Sequence, residues 1–592
     1  MIKFSRIIIL TMKEIKNPLM MNRTVALILN RVADLLEMDG TDFRTKAYRR
    51  AAHTVEFLPE DIESVMNEGR LEELPGIGKN IARKMEEIIN TGSLEYYEDL
   101  KAMFPVDFEE LMSVEGIGPR KIKLFYDKLG VRNLNDLEYA ARRHKIRRLK
   151  GMGPKTELMI LKNIMFARRD TGRKLLGQMM PLAKSLKGEI EKLDTVSRVE
   201  VAGSIRRRKE TVGDIDLLVV AEDHESVMDH FTGLKIVEEV IVKGPLKSSV
   251  RLEGGVEVDL RVFNAESFGA AMVYFTGSKE TNVELRRVAI SKGLKLNEYG
   301  VYRDDTMVAG ETEEEVFSAL DMDTPEPELR ENRGEVDAAL RGELPDLVEY
   351  NEIKGDLHIH TNWSDGNSEI HEIVKKAADM GYEYMAVTDH FRSIWMDNAM
   401  DEMDLKKQLL EIKNINEKFE DAGVDLCVFS GVEVDVDSVG NINIEPELLE
   451  ELDMVVAALH SGLKPDKKEL TDRIVKVMYN EDVDVLAHPT GRKILEKIGY
   501  EMDLERIFQA ALDTNTLLEV NADPDRLDLS DVLIRDAVDH GCKLVINSNS
   551  HSSRDMEHME LGVATARRGW AESKDIINTL PLKSFKKILE LN

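Results

Sequence analysis

Cysteine is nearly absent from this 592-residue chain: Cys427 and Cys542 are the only two. Two thiols cannot build a disulfide framework, which excludes the small cross-linked secreted folds and points to a reducing, cytoplasmic setting. Long apolar runs are missing too. No stretch approaches the roughly 18–20 residues of a membrane-spanning helix, and Ile7-Ile8-Ile9-Leu10 is too short for a signal peptide's apolar region, so no membrane partner is expected. Positive charge is in deficit, with 81 Lys and Arg against 111 Asp and Glu, a formal net charge of −30. That balance excludes nucleic-acid binding over the whole surface, but not at a local patch. Residues 111–180 hold 17 Lys and Arg against 6 Asp and Glu, so a polyanion would be met there. The length calls for several domains.

What is present is organised around residues 203–218. A Gly203-Ser204 turn and a basic run, Arg206-Arg207-Arg208-Lys209, precede Gly213-Asp214-Ile215-Asp216 and an apolar stretch. On a strand, the i, i+2 spacing puts Asp214 and Asp216 on one face and Ile215 on the other. Adjacent carboxylates repel, so the arrangement is costly unless a cation lies between them. Hard oxygen ligands beside phosphate chemistry suggest Mg²⁺ or Mn²⁺. Residues 256–262 alternate with period two, placing Glu257, Asp259 and Arg261 on one face. Two such strands can bring Asp214, Asp216 and Asp259 together, the minimum equipment for two-metal phosphoryl transfer.

These motifs resemble the nucleotidyltransferase core of the family X DNA polymerases. Tyr274-Phe275-Thr276-Gly277-Ser278 and Leu296-Asn297-Glu298-Tyr299-Gly300 are similar to that family's nucleotide-pocket motifs. The resemblance runs from about residue 21 to about 303, which leaves residues 1–20 as a leader or a misplaced start. It implies two metal ions on the three aspartates, with Asp259 beside the primer 3′-hydroxyl. It also implies that Ser204 and Arg207 hold the incoming triphosphate, with Gly203, Gly213 and Gly277 in the same nucleotide site. Tyr274 and Phe275 would line the sugar pocket, and Asn282 and Arg286 would meet the nascent base pair and template.

Upstream, residues 23–37 read as an amphipathic helix, with Val25, Leu27, Ile28, Val32, Leu35 and Leu36 near a 3.6-residue period. Leu74-Pro75-Gly76-Ile77-Gly78 and Val114-Glu115-Gly116-Ile117-Gly118 each precede a helical run, and Leu149-Lys150-Gly151-Met152-Gly153 is a weaker third. A Gly-x-Gly turn opening a helix offers backbone N–H groups at its positive end, suited to a DNA phosphate. These resemble helix–hairpin–helix motifs, with Gly76, Gly78, Gly116 and Gly118 at the DNA backbone. By resemblance to the family's repair members, Lys84 contacts DNA and attacks an abasic sugar. Neighbouring cations would ease its deprotonation, although Asn80 stands where such enzymes have a phosphate-binding lysine.

Residues 321–353, with Pro325, Pro327, Pro345 and many charges, read as a linker. Beyond it, apolar strand-like runs recur and most end in ligand-type residues: His358 and His360, His390, Glu433, His460, His488, and Asn549 with His551, while a seventh run, Leu517–Val520, leads into Asn521. Helical segments alternate with them, so the strands are parallel and seven could close as a barrel with its site at the strand C-termini. Imidazole mixed with carboxylate favours Zn²⁺ or Mn²⁺ over Ca²⁺. Glu433 could bridge two ions, and Arg492 could steady a phosphate. With Asp365 and Thr388-Asp389-His390, the set resembles the polymerase-and-histidinol-phosphatase (PHP) domain, which implies 3′–5′ exonuclease or related end-cleaning chemistry. Asn549 departs from the usual aspartate.

The expected fold is multidomain. A helical region over 21–100 and 101–174 carries the helix–hairpin–helix motifs. An α+β palm and nucleotide-selection region follows at 175–320, and after the linker a (β/α)7-type barrel at 354–592. The expected function is gap-filling DNA synthesis on gapped or nicked DNA with dNTPs, by a monomer, with barrel nuclease activity. The alternative is a repair nuclease whose polymerase core mainly positions DNA. A non-catalytic DNA-end binder or a small-molecule phosphoesterase fits fewer of the motifs.

Overall fold

A computed structural model describes residues 18–588, except 40–41, 57, 59–60, 115, 171–172, 394–397 and 461–465. Most of the expected leader, residues 1–17, lies outside the described residues, and the first helix, Pro18–Asp39, already starts at Pro18. The chain forms two compact units, 1–167 and 168–592.

The first unit is helical. Val25, Leu29, Val32 and Leu36 of Pro18–Asp39 form its buried stripe, at the i, i+4, i+7, i+11 spacing of one helix face. Leu27, expected in that stripe, is more than half exposed, because the true phase runs through Leu29. The three Gly-x-Gly turns share one geometry. Gly76, Gly116 and Gly151 adopt φ of +80°, +82° and +83°, a region that disfavours any side chain. Gly78 and Gly118 then cap the helices Lys79–Thr91 and Pro119–Leu129 without a side-chain hydrogen bond, and Gly153 precedes Pro154–Asp170. A Cβ at Gly78, Gly118 or Gly153 would meet nothing within 4 Å, so each helix start is open.

The second unit begins with a five-stranded sheet: β1 (Val196–Val201), β2 (Asp214–Ala221), β3 (Val237–Lys243), β4 (Lys247–Leu252) and β5 (Glu257–Phe263), in the order β1-β2-β5-β4-β3. All its pairings are antiparallel except β2 with β5. The helices Phe268–Thr276 and Lys279–Ser291, a small three-stranded sheet and the helix Glu313–Ala319 follow. The barrel strands are β6 (Gly355–Asp356), β7 (Tyr384–Val387), β8 (Cys427–Asp435), β9 (Met454–Ala458), β10 (Val485–Leu486), β11 (Leu517–Asn521) and β12 (Leu544–Asn547), paired in parallel in that order. A parallel bridge between Ile359 and Ser550 joins the first strand to the last. Phe585 fills the N-terminal end of the barrel, fully buried and stacked on Tyr384 at 4.4 Å.

Residues 321–353 are not a solvated tether. They contain the turn Pro327–Leu329 and the helix Glu335–Arg341, and Glu328, Arg330, Glu331 and Glu335 are all buried. Their charges are paired over long sequence distances. Arg330 donates to Glu313 at 2.5 Å, and Arg567 of the barrel donates to Glu328 at 2.9 Å. Sheet and barrel also share an apolar core, in which barrel residues Ile494, Leu527 and Leu561 cluster with Leu176, Val212 and other palm residues. Gly177 abuts Pro524 so closely that a Cβ there would lie 2.6 Å from the proline ring.

Trypsin in limiting amounts is therefore expected to leave the bonds after Arg330 and Arg333 intact while the protein is native. Fragment mapping showing cleavage there as fast as in the denatured chain would restore the linker reading.

Candidate active sites

The parallel register of β2 and β5 sets the first site. Asp216 lies directly across from Asp259, and Asp214 across from Glu257. Ile215 and Val258 are fully buried on the opposite face, so the alternation holds the carboxylates on the open side. Asp259 accepts hydrogen bonds from Ser249 Oγ at 2.5 Å and Arg261 Nη2 at 3.3 Å, and pairs with Lys247 Nζ at 2.7 Å. Burial, with repulsion from Asp214 and Asp259, pushes Asp216 up to about 7. Burial and Asp259 raise Asp214 as well. Asp214 and Asp216, whose charged forms are disfavoured together, lie beside Asp259 as hard oxygen donors of the kind a divalent cation takes.

Gly203, at φ +66°, begins the turn over this site, and a Cβ there would lie 2.6 Å from Asp216 Oδ2. Only glycine lets the turn approach the carboxylate. Ser204 is half-buried on the same short helix, Gly203–Arg206. Arg207 is held: its Nε donates to Glu331 at 2.9 Å and its Nη1 to the Thr276 carbonyl. Gly213 packs against Arg173, and Gly277, at φ +72°, against Arg207. Tyr274 is about one-third exposed and meets Phe275 edge-on at 5.0 Å. Arg261 lies over the Phe275 ring at 4.6 Å, and Asn282 Nδ2 donates to the Tyr274 carbonyl at 2.7 Å. Arg286 is half-buried on the same helix as Asn282.

The second site lies at the C-terminal mouth of the barrel. Three sets of side chains have geometry suited to a metal: His360, Asp365, His390 and His551; His358, His360 and Glu433; and His390, Glu433 and His460. Glu433 is the hub, with carboxylate oxygens 3.0 Å from His390 Nδ1, 3.2 Å from His488 Nε2, and 3.5 Å from nitrogens of His358, His360 and His460. Asp365 lies 3.1 Å from His551 Nε2. His358 Nε2 and both ring nitrogens of His360 are buried without a hydrogen-bond partner. Such orphaned nitrogens are costly, and a cation could take one lone pair from each ring, so the residues fit the implied metal ions.

Several supporting groups escaped the sequence reading. Glu519 Oε1 lies 2.7 Å from His358 Nδ1, and Asp435 Oδ1 lies 2.6 Å from His460 Nδ1. Each fixes a ring so that Nε2 points inward. Asp389, already part of the Thr388-Asp389-His390 motif, accepts from Thr361, Ser364 and Gln408, bracing the loop beside His390. A carboxylate two residues past Glu433 was the one available signal for Asp435. Arg492 corrects an expectation. Its guanidinium donates to the carbonyls of Arg526 and Leu527 and pairs with Glu210 of the palm at 2.8 Å, with the side chain 3% exposed. It belongs to the seam between palm and barrel. Arg526, about one-fifth exposed, is instead the cation whose charge bears on His460 and His488. Asn549 holds φ +52° and accepts from His551 Nδ1 through its backbone carbonyl at 2.9 Å. Asparagine tolerates this left-handed conformation.

In the first unit, Lys84 lines a cleft of about 1320 Å³ with Arg44, Tyr48, Lys79, Arg83 and Tyr96. Its Nζ donates to Tyr48 Oη at 2.5 Å and stands 3.2 Å above the Tyr96 ring. Burial, with Arg83 and Arg44 nearby, brings it down to about 8.

The comparisons follow this layout. "DNA polymerase beta palm" matches residues 178–268 and "DNA polymerase beta thumb" residues 271–331. "PHP domain" matches 356–556, and two helix–hairpin–helix descriptions match 20–94 and 108–164. A Bacillus subtilis protein named "DNA polymerase/3'-5' exonuclease PolX" is 32% identical over 581 residues, covering 97% of this chain and all of the relative. The chain belongs to the PHP-bearing family X DNA polymerases. Two proteins named "DNA polymerase lambda" match about half of it: one from Arabidopsis thaliana at 27% identity, covering 62% of that protein, and one from Rattus norvegicus at 25%, covering 55%. The thumb match extends into the stretch first read as a linker. No helix among the described residues is long and apolar enough to cross a membrane.

Asn549→Asp would add a charged ligand at the end of the last barrel strand. Calorimetric titration with Mn²⁺ is expected to show roughly tenfold tighter binding to the barrel site. Binding indistinguishable from wild type would remove residue 549 from the ligand set.

Proposed function

We propose that this family X member extends DNA 3′ ends in short gaps and that its barrel removes 3′-terminal nucleotides. One observation carries the first half: the β2–β5 register sets Asp216 beside Asp259 with Gly203 turned against them. Mg²⁺ or Mn²⁺ held by Asp214, Asp216 and Asp259 supplies the positive charge that stabilises an in-line phosphoryl transfer. Asp259, oriented by Ser249, lies where the primer hydroxyl is received. Lys247, paired with Asp259 at 2.7 Å, would share that carboxylate with a cation held there. Arg207 keeps three of its five N–H groups beyond its contacts with Glu331 and Thr276, enough to grip a triphosphate while remaining anchored. Tyr274 and Phe275 present bulk to the sugar, and Asn282 and Arg286 face the base pair. The helix–hairpin–helix turns meet the DNA backbone through open helix starts.

In the barrel, Zn²⁺ or Mn²⁺ on the histidine–carboxylate cluster supplies Lewis acidity for phosphodiester hydrolysis. Glu433 is common to two of the ligand sets, and Arg526 would meet a phosphate. The full-length similarity to a polymerase/exonuclease supports the pairing of activities. The intact palm carboxylates disfavour a nuclease whose palm only positions DNA.

The two sites are separable. On a gapped duplex, Asp259→Ala is expected to lower extension by roughly a hundredfold or more while shortening without dNTPs persists. Glu433→Gln is expected to do the reverse. Loss of both activities in either variant, with DNA binding intact, would overturn the assignment of separate sites.

A second activity is favoured by the Lys84 cleft. An amine near 8, caged by two tyrosines, suits Schiff-base formation with an abasic sugar. Borohydride trapping is expected to rise with pH as the amine deprotonates and to level off above about 8, whereas an ordinary lysine would keep rising towards ~10.4. The absence of a trapped adduct at pH 8.5 would sink the lyase reading.

A further inference from the structure

The barrel reaches into the nucleotide end of the palm through one side chain. Arg568 closes the helix Met559–Arg568, which lies beside the last barrel strand. Its Nη1 donates to the backbone carbonyl of Arg207 at 2.6 Å and approaches Glu331 Oε1 at 3.3 Å. Its Nη2 donates to Asp531 at 2.7 Å, and Asp531 also accepts from Arg333 at 3.0 Å. Glu331 Oε1 is the same atom that receives Arg207 Nε, and its other oxygen lies 3.6 Å from Lys209. The side chains of Glu331 and Arg568 are each 4% exposed, and that of Arg207 is 11% exposed. Burial alone would raise Glu331, but Lys209, Arg207, Arg568 and Arg333 hold it well below the usual carboxylate range.

Arg207 is thus fixed at three points. Its carbonyl accepts a hydrogen bond from Arg568, its Nε donates one to Glu331, and its Nη1 donates one to the Thr276 carbonyl. A long cationic side chain free in solvent would lose rotamer freedom on gripping a phosphate. Here that loss has already occurred at folding, and part of it is secured by a residue over 350 positions downstream.

We infer that Arg568 of the barrel, acting through Glu331 and the Arg207 carbonyl, is a positioning residue for triphosphate binding in the palm, so that nucleotide affinity depends on how the barrel is seated. This rests on the proposed role of Arg207. It also predicts a reciprocal effect, because coupling between sites runs both ways: bound nucleotide tightens the seam.

The test is single-nucleotide gap filling with the full chain, with KM for dNTP and kcat measured separately. Arg568→Ala is expected to raise KM roughly tenfold with kcat within about threefold, as for loss of a charge-assisted contact that orients a ligand group. Arg568→Lys is expected to recover part of that loss, since it keeps the charge without the fork. Glu331→Gln is expected to raise KM similarly and carries the test if Arg568→Ala does not fold. Arg567→Ala is the control. It loses the bonds to Glu328 and the Val348 carbonyl in the same seam but touches nothing at Arg207, so its KM is expected to stay near wild type. Barrel exonuclease activity is expected to be unchanged in all four. Wild-type KM in Arg568→Ala and Glu331→Gln would overturn the inference, as would an equal rise in Arg567→Ala. Wild-type KM in Arg207→Ala would instead overturn the role of Arg207 itself, which separates the two failures.

Discussion

Parallel strand pairing is the constraint from which both sites follow. Two parallel neighbours advance together, so side chains at the same level of adjacent strands face the same way. In the palm this occurs at one seam only, between Asp214–Ala221 and Glu257–Phe263, where it stacks Asp216 against Asp259. The surrounding elements answer that crowding. Glycine at 203 makes room, Ser249 and Lys247 on the next strand meet the Asp259 oxygens, and burial with the neighbouring carboxylates raises Asp216. In the barrel every strand is parallel, so each contributes its last residues to one mouth. Glu433 can touch five histidines because four neighbouring strand ends, one of them carrying both His358 and His360, open on the same side.

The second organising force is buried charge between palm and barrel. Glu328, Glu331, Asp531, Arg567 and Arg568 are taken from water and hold one another. Such pairs add little net stability over an apolar substitute, yet removing one partner commonly costs about 3–5 kcal/mol, because the other is left stranded. They act chiefly as register pins. Apolar contact alone would let the two domains slide, whereas forked guanidinium bonds to named carbonyls and carboxylates admit one arrangement.

Much of this was legible in the chain. The alternation around Asp259 reads directly as a half-buried strand, and it is one. The barrel ligands announced themselves because each ends an apolar run. What was not legible depends on partners far off in sequence. Glu519 and Asp435 serve by hydrogen-bonding to a histidine, a role with no required spacing. Arg492 follows His488 closely, yet proximity along the chain does not say which way a guanidinium turns, and it turns to Glu210. Residues 321–353 look solvated by composition, because a buried glutamate and an exposed one are written with the same letter. Their counter-charges lie up to 241 residues away. Leu27 shows the smaller version of the same limit, since helical period without phase leaves one residue on the wrong face.

The barrel side chains embedded in the palm core have a consequence for inheritance. Ile494, Leu527 and Leu561 belong to the apolar core of a sheet encoded hundreds of codons earlier. A gene that lost its 3′ half would leave that sheet with an open apolar flank and unmatched ions. The two chemistries therefore cannot be separated by deletion in the way that domains on a tether can. Either one would have to be retired by exchanging single side chains within an intact shell. A lineage that dispenses with the nuclease would still have to carry the barrel as scaffolding for its polymerase.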